Sequence, residues 1–247
     1  MEHEPFEKNI SLTQQRSGRI LVIAILIAGV MISGAIYFAG KSEKPNAAQQ
    51  TTPSFGGESL ENIKPVGSAD HIRGNPNAPI KIVEFSDPEC PFCKRFHITM
   101  QQIMREYGAS GQVAWIYRQF PIDQIHSLAR KETEATECAG GIGGNDTFWE
   151  YLDRLLEITP SNNNLDPQEL LRIADYVRID RGQFEECLQR GNYAQHIQDD
   201  VDDAIRSGGT GTPYSIVIAK NGKKFVINGA QPYSVVKAIL DVALQEK

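Results

Sequence analysis

Residues 80–93 of the chain read Ile80-Lys-Ile-Val-Glu-Phe-Ser-Asp-Pro-Glu-Cys-Pro-Phe-Cys93. The first half is rich in β-branched side chains and lies between two prolines, which is typical of a buried strand. Apolar residues then recur at helical spacing from Cys93 to about Tyr107 and stop at Gly108. The stretch therefore predicts a strand and then a helix, with a Cys-x-x-Cys pair at their junction.

Further elements are predicted after this junction. A second strand is expected at Val113–Gln119, and the pattern is helical from about residue 125 to 207. A strand, an Asn-Gly hairpin turn, a strand and a helix follow, at Pro213–Ala219, Asn221-Gly222, Lys224–Ile227 and Ser234–Gln245. This order predicts an α/β fold with an inserted helical subdomain at about 125–207.

The N-terminal part carries a long apolar segment. Ile20 to Gly40 is an uncharged run of 21 residues, which as a helix would cover roughly 31 Å and match the ~30 Å hydrocarbon core of a bilayer. The apolar part of a secretory signal is usually only ~7–15 residues long, so we expect a retained transmembrane signal anchor. One N-terminal transmembrane helix then precedes the α/β domain.

The flanks of this segment indicate the domain boundaries. Three basic residues precede it and two follow it, a slim excess that favours a cytoplasmic N-terminus. We expect a cytoplasmic tail at 1–19, the anchor at 20–40, a polar linker at 41–62 and the folded domain at 63–247. The chain would then be a single-pass protein of the cell membrane, with its folded domain on the extracytoplasmic side.

The composition excludes some partners. The formal net charge is −6, and it is spread along the chain without the basic face that a nucleic-acid binder normally shows. The four cysteines are too few for a small disulfide-stapled scaffold. We expect no nucleic-acid partner.

The Cys90–Cys93 pair has three interpretations: half a zinc site, a structural disulfide or a redox-active dithiol. A four-cysteine zinc site would need a second closely spaced pair, which Cys138 and Cys187 do not form. The strand–helix junction favours the redox dithiol, and no metal is expected. With Cys90 at the N-cap and Pro91 at the first helical position, free amides and the helix dipole would stabilise a Cys90 thiolate. Cys90 would be the exposed attacking sulfur and Cys93 the buried resolving thiol.

Glu84 and the lone cysteines each leave alternatives open. Glu84 is either an acid at a strand edge facing water or a buried carboxyl of raised pKa that relays a proton for Cys93. Cys138 and Cys187 are two buried free thiols, a second redox pair or a structural disulfide. The structural disulfide is favoured because an exported compartment oxidises thiols.

Other polar residues receive structural interpretations. His97 lies on the helix face of Cys93 and is either a group that tunes the dithiol or an exposed polar residue, of which the exposed residue is favoured. His126 is expected to cap or pack at the start of the insertion. The acidic cluster is expected to be a solvated helix face; it consists of Asp199, Asp200, Asp202 and Asp203.

The segment from Ala78 to Cys93 resembles the active-site strand and helix start of the DsbA-like thiol–disulfide oxidoreductases, which have a thioredoxin-like fold. Gly211-Thr212-Pro213 is similar to the cis-proline loop of that family. The helical insertion is similar as well, at Arg118-Gln-Phe-Pro-Ile, His126, Glu137-Cys-Ala and Phe148-Trp149. The resemblance covers about residues 63–247.

The resemblance implies a role for each matching residue. Cys90 would be the nucleophile, Cys93 its resolving partner, Glu84 the buried acid and Pro213 the cis-proline. Substrate would bind along Pro91, Phe92, Thr212 and Pro213. The family's oxidases use no further cofactor, and they pass electrons from cysteine-containing exported proteins to a quinone-linked oxidoreductase of the membrane.

Two departures from the family pattern affect whether the protein would act as an oxidant or as a reductant. The central dipeptide is Pro-Phe, whereas the strongest oxidant of the family has Pro-His, and Thr212 replaces a valine before the proline. A dithiol oxidase is favoured, because residues 41–80 are too short and too polar for the dimerisation domain of isomerases. The alternatives are a disulfide isomerase or reductase of the same fold and a non-catalytic peptide-binding chaperone module.

Overall fold

The structure is a computed structural model that describes residues 57–246. The expected cytoplasmic tail, the expected anchor at 20–40 and most of the linker lie outside these residues. Within 57–246, no helix combines the length and the apolar character needed to cross a bilayer. The single-pass anchor therefore stays a prediction.

Five strands form one mixed sheet in the order β1-β3-β2-β4-β5. The central strand β2 runs parallel to β3 and antiparallel to β4, while β1 and β5 are antiparallel edge strands. The strands are β1 His71–Gly74, β2 Ile80–Ser86, β3 Val113–Gln119, β4 Tyr214–Ile218 and β5 Lys224–Asn228. The predicted strand–helix–strand unit and hairpin are confirmed. The sequence pattern missed β1, because four residues are too few to show a period.

Eight α-helices are present in residues 57–246. They are α1 Gly57–Leu60, α2 Pro91–Ile103, α3 Ala129–Gly143, α4 Asn145–Ile158, α5 Gln168–Tyr176, α6 Arg181–Arg190, α7 Ala194–Arg206 and α8 Tyr233–Ala243. A single π-helical turn, Met104–Gly108, continues α2. Helices α3–α7 lie between β3 and β4 in sequence, which confirms the helical insertion within an α/β fold.

Alternation along β2 builds an apolar layer on each face of the sheet. Ile80 and Ile82 pack with Phe96 of α2 on one face, while Val83 and Phe85 belong to the cluster on the other face. Each such side chain contributes roughly 1.5–3 kcal/mol on full burial. The same alternation places Glu84 on the face of Ile82, toward α2.

The helical insertion has an apolar core of its own. Tyr151 of α4 and Phe184 of α6 are fully buried there, with ring centroids 5.5 Å apart. In the same core Cys138 of α3 and Cys187 of α6 are joined by a disulfide bond, with Cα atoms 5.9 Å apart. The bond ties two helices that are far apart in sequence.

Candidate active site

The first cysteine of the Cys-x-x-Cys pair begins helix α2. Cys90 is the N-cap residue in an extended conformation (φ −78°, ψ 120°), and proline follows in the first turn. Proline is favourable there because the amide that it lacks has no partner inside a helix. The first free amides of the helix, those of Phe92 and Cys93, lower the pKa of the Cys90 thiol, although neither makes a hydrogen bond of normal geometry to its sulfur. Cys90 therefore lies where a helix best stabilises negative charge.

The two thiols have opposite acidities. The pKa of Cys90 is lowered from 9.0 to about 6, first by a hydrogen bond from the Cys93 thiol and then, against the opposing effect of burial, by Thr212 and the helix amides. The pKa of Cys93 is raised well above its ordinary value by burial and by the neighbouring Cys90. The pair thus carries one thiolate and one thiol near neutral pH.

The expectation of an exposed Cys90 is wrong, because only 5% of its surface is accessible. The loop before β4 accounts for this burial, since the Thr212 carbonyl oxygen lies 3.5 Å from the Cys90 sulfur and accepts a hydrogen bond from it when the thiol is protonated. Pro91 and Phe92 beside it are exposed, Phe92 to 54%. The surface next to the sulfur is therefore formed by these two residues and the Thr212 loop.

Thr212 and Pro213 are joined by a cis peptide bond. The loop is fixed on its other side, where the Pro213 carbonyl accepts a hydrogen bond of 3.0 Å from the Gly229 amide. The structure thus brings Thr212, Pro213, Pro91 and Phe92 together around Cys90. These are the four residues for which the sequence suggested substrate contacts.

Glu84 is fully buried rather than facing water. Its Oε2 accepts a hydrogen bond of 2.9 Å from the Trp115 indole. Burial raises its pKa from 4.5 to about 7, against the opposing effect of Ser86 and Trp115. The carboxyl group is therefore poised to gain or lose a proton near neutral pH.

Sequence reasoning missed Ser86, which lies close to both Glu84 and Cys93. Its side chain favours the ionised form of each group, although its hydroxyl makes no hydrogen bond of normal geometry to the described residues. Strand alternation could have revealed it, because residues two apart share a face. Ser86 can pass a proton between the buried carboxyl and the buried thiol.

The turn between β2 and α2 is held by a second buried carboxylate, Asp87. It accepts hydrogen bonds of 2.8 Å each from the Ile122 amide, the His126 imidazole and the Glu89 amide. The Asp87 amide points at the Cys93 sulfur, at 3.5 Å. His126 therefore helps to position the active-site turn, a role that its sequence context did not indicate.

Sequence reasoning also missed a pair of buried acids beside the active-site turn. Glu89 directly precedes Cys90 and accepts hydrogen bonds from the Asn162 and Asn163 amides of the insertion. Burial and the adjacent Glu89 raise the pKa of Glu132 on α3 to about 10. Glu132 is thus neutral at pH 7, so its contact with Glu89 does not place two charges side by side.

Two expectations about exposed polar residues are wrong. His97 is 3% exposed, and its Nε2 bonds Asp153 at 2.7 Å; burial lowers its pKa. Asp200 and Asp203 are also buried, so the acidic cluster is only partly solvated. Asp203 pairs with Arg118 at 2.6 Å. The guanidinium of Arg118 on β3 therefore explains why Asp203 is buried. The sequence of the helix alone shows Asp203 only as one of several neighbouring acids.

Comparison with known proteins places this site in a family. A sequence model of the family described as Thioredoxin matches residues 67–242. The "Na(+)/H(+) antiporter NhaA 3" of Salinispora tropica is 34% identical over 155 residues, which are 63% of this chain and 22% of the antiporter. The chain thus spans about a fifth of the length of that relative.

Two further similar proteins have names that refer to disulfide bond formation or belong to that group of structures. The "Probable disulfide bond formation protein D" of Bacillus anthracis is 25% identical over 154 residues, covering 59% of this chain and 68% of that protein. The crystal structure of oxidised BdbD from Bacillus subtilis superimposes with a TM-score of 0.65 at 23% identity, covering 74% of this chain and 97% of the other. The chain belongs to the thioredoxin family, and its sheet with a helical insertion is the fold of the DsbA-like thiol–disulfide oxidoreductases.

Proposed function

We propose that this protein oxidises dithiols of exported proteins to disulfides through Cys90 and Cys93. One observation carries the proposal: a thiol whose pKa is lowered to about 6 caps a helix, and a buried thiol of raised pKa donates a hydrogen bond to it. A sulfur that is stable as a thiolate is a good leaving group when a second thiolate resolves the mixed disulfide.

The reaction begins with the Cys90–Cys93 disulfide. A substrate thiolate attacks the Cys90 sulfur, the Cys90–Cys93 bond breaks, and Cys93 leaves as a thiolate that takes up a proton. A second substrate thiolate then attacks the substrate sulfur of this mixed disulfide. Cys90 leaves as a thiolate, the substrate gains one disulfide, and two electrons remain on the Cys90–Cys93 dithiol.

Glu84 and Ser86 serve the first of these steps. Cys93 is completely buried, so its thiolate cannot be stabilised by water and needs a nearby proton. Glu84 holds a proton up to about pH 7, and Ser86 lies close to both groups. We assign Glu84 as proton donor to Cys93 and Ser86 as the link between them.

The surface around Cys90 fits an extended peptide. Phe92 offers an exposed ring, and Thr212 offers the backbone of a loop next to the sulfur. Contacts of this kind are made mainly to the main chain of a bound peptide and less to its side chains. We therefore assign Pro91, Phe92, Thr212 and Pro213 to substrate binding, with a preference for unfolded segments.

The location and recycling partner complete the proposal. The chain would comprise a cytoplasmic tail at 1–19, a membrane anchor at 20–40, a linker at 41–62 and the catalytic domain at 63–247. A tether would keep the domain beside a quinone-linked membrane oxidoreductase that accepts its two electrons. The uncharged 21-residue segment supports this arrangement.

The direction of electron flow is tested by a redox titration of the full chain in detergent. We expect a potential well above the about −270 mV of thioredoxin and stoichiometric oxidation of a reduced, unfolded protein, measured by thiol alkylation and mass spectrometry. A potential near that of thioredoxin would contradict the oxidase and favour a reductase. Activity on scrambled disulfides without net oxidation would favour the isomerase. A chaperone module would be favoured if the wild type exchanged no thiols and Cys90→Ser still bound peptides.

A further inference from the structure

A second polar cluster lies where the insertion meets the sheet edge. It brings together His71 of β1, Glu137 of α3 and His196 of α7. Glu137 is 2% exposed at its side chain, while the imidazoles are 15% and 24% exposed. The carboxylate is thus at the base of the cluster, and the imidazoles form its open side.

The ligand atoms of these three residues converge. The Nε2 of His71 lies 2.9 Å from the Oε2 of Glu137, and the Nε2 of His196 lies 3.6 Å from the same oxygen. Bonds of about 2.0–2.1 Å to a tetrahedral zinc ion require ligand atoms roughly 3.3 Å apart. The observed separations lie on both sides of that value, so small side-chain shifts suffice to admit an ion.

A second buried carboxylate lies next to His196 on the same helix. The Oδ2 of Asp200 lies 3.8 Å from the His196 Nε2, because residues four apart share a helix face. The side chain of Asp200 is 3% exposed, and its Oδ1 has no hydrogen-bond partner among residues 57–246. The Oδ2 of Asp200 accepts a hydrogen bond of 3.1 Å from the backbone amide of Gln119.

Gln119 adds a second observation of the same kind. Its side-chain amide donates to the Oε1 of Glu137 at 2.7 Å, which leaves the Oε2 of Glu137 directed at the imidazoles. The side-chain oxygen of Gln119, Oε1, is buried and has no hydrogen-bond partner among the described residues. Buried oxygens without donors are uncommon in folded proteins and call for a cation or a proton donor.

We propose that His71, Glu137 and His196 bind one divalent transition-metal ion of the zinc class, with the carboxylate of Asp200 beside His196 adding a second negative charge. Two carboxylates with two neutral imidazoles supply two negative charges, which such an ion balances. Two imidazole nitrogens favour zinc, cobalt or nickel over calcium or magnesium, which prefer oxygen ligands. The fourth position is filled by water.

The site would fasten the insertion to the sheet. Its ligands come from the edge strand and from two helices of the insertion, and Glu137 directly precedes Cys138 of the disulfide. A bound ion stabilises the folded chain in proportion to its affinity. The site is therefore structural and does not depend on the proposed oxidase activity.

The test uses the full chain, free of affinity tags, with Cys90→Ser and Cys93→Ser so that the dithiol cannot bind the ion. Equilibrium dialysis should show one Zn²⁺ per chain, and Co²⁺ should give the visible absorption bands of a tetrahedral site. His196→Ala should weaken Zn²⁺ binding by at least roughly 100-fold, more than the 10–100-fold typical of indirect ligand partners. His196 is partly exposed, so this variant should still fold, which circular dichroism checks.

The exposed neighbour of Asp200 gives a matched control. Asp200→Asn should weaken Zn²⁺ binding, whereas Asp199→Asn on the same helix should not. Absence of Zn²⁺ and Co²⁺ binding to the folded chain, binding unchanged by His196→Ala, or tight binding of Ca²⁺ alone would each overturn the proposal. Oxidase activity is measured separately, so its loss or presence does not decide the outcome.

Discussion

The two cysteine pairs of this chain have similar burial and very different chemistry. Cys90 is 5% exposed and Cys187 is 8% exposed, so accessibility does not distinguish them. Cys90 is the N-cap residue of a helix whose first amides lower its pKa. Cys138 and Cys187 instead lie in a core cluster of apolar side chains from four helices, with the Glu134 carboxylate within 4.8 Å of their sulfurs. The comparison shows that oriented dipoles, rather than exposure, separate a reactive sulfur from an inert one.

The largest expected effect comes from comparing the loss of Cys90 with the loss of the Cys138–Cys187 disulfide. Cys90→Ser should reduce dithiol oxidation to the uncatalysed rate, because no mixed disulfide can form at the serine. The double variant Cys138→Ser/Cys187→Ser should keep the oxidation rate per folded molecule. Both are measured by alkylation of a reduced protein substrate, and equal losses in the two variants would contradict the division of roles.

Stability should show the opposite order. The Cys138–Cys187 bond closes a loop of 49 positions, so its removal should lower the free energy of unfolding by about 4 kcal/mol through loop-closure entropy. Cys90→Ser should change it far less. Urea denaturation followed by circular dichroism measures both, and a loss below about 1 kcal/mol for the double variant would count against a structural role.

Only part of this comparison could be predicted from the sequence. The strand, the Cys-x-x-Cys pair and the helix follow from local pattern, and Pro91 marks the helix start. Contacts between distant segments could not be predicted in this way. Asp87 meets His126, and Asp203 meets Arg118, only after the insertion folds onto the sheet.

The burial of Cys90 shows the same limit. Helix capping predicts a stabilised thiolate but not which loop covers it, since Thr212 is 122 positions away. The catalytic roles of Cys90, Cys93 and Glu84 stay predictions, whereas their placement is now described. Ser86 was within reach of sequence reasoning, but Glu132 was not, because nothing in its own helix indicates the neighbouring Glu89.

A smaller effect, on the pKa of Cys90, should follow from removing the Cys93 thiol. Cys93→Ala removes the hydrogen bond that contributes most to the lowered pKa of Cys90, so that pKa should rise from about 6 toward 9 by roughly one unit or more. Thiolate absorbance at 240 nm as a function of pH measures it. An unchanged midpoint would mean that the helix amides and Thr212 alone stabilise the thiolate.

The same lowered pKa makes the stability of the reduced protein depend on pH. Cys90 ionises near pH 6 in the folded state and near 9 when unfolded, so its stabilising contribution is present above pH 9 and is lost progressively as pH falls through 6. Between pH 5 and 8 the reduced wild type should therefore gain stability relative to Cys90→Ser. Urea denaturation under reducing conditions tests this, and parallel curves would contradict it.

The smallest expected effect concerns Glu84, which acts on Cys93 through Ser86. Glu84→Gln keeps the size of the side chain but carries no exchangeable carboxyl proton, so mixed-disulfide formation should slow by about tenfold. This is less than the 10²–10⁴-fold typical of acid catalysis, because a thiolate can leave before it is protonated. Ser86→Ala should give a similar loss, whereas Ser207→Ala, at a buried serine that ends α7, should not.

Stability supplies a readout of Glu84 that is independent of rate. The carboxyl ionises near 4.5 in the unfolded chain and near 7 in the folded one, so the wild type loses stability as pH rises through this window. Glu84→Gln removes the titration and should be more favourable, relative to wild type, at pH 8 than at pH 5. If the two curves stay parallel while the rate still falls, Glu84 acts through packing against Trp115, and the proton then reaches Cys93 by another route. If both readouts shift together, the buried acid and the resolving thiol form one proton-sharing unit, whereas the sulfurs of Cys138 and Cys187 are joined in a disulfide and carry no proton to share.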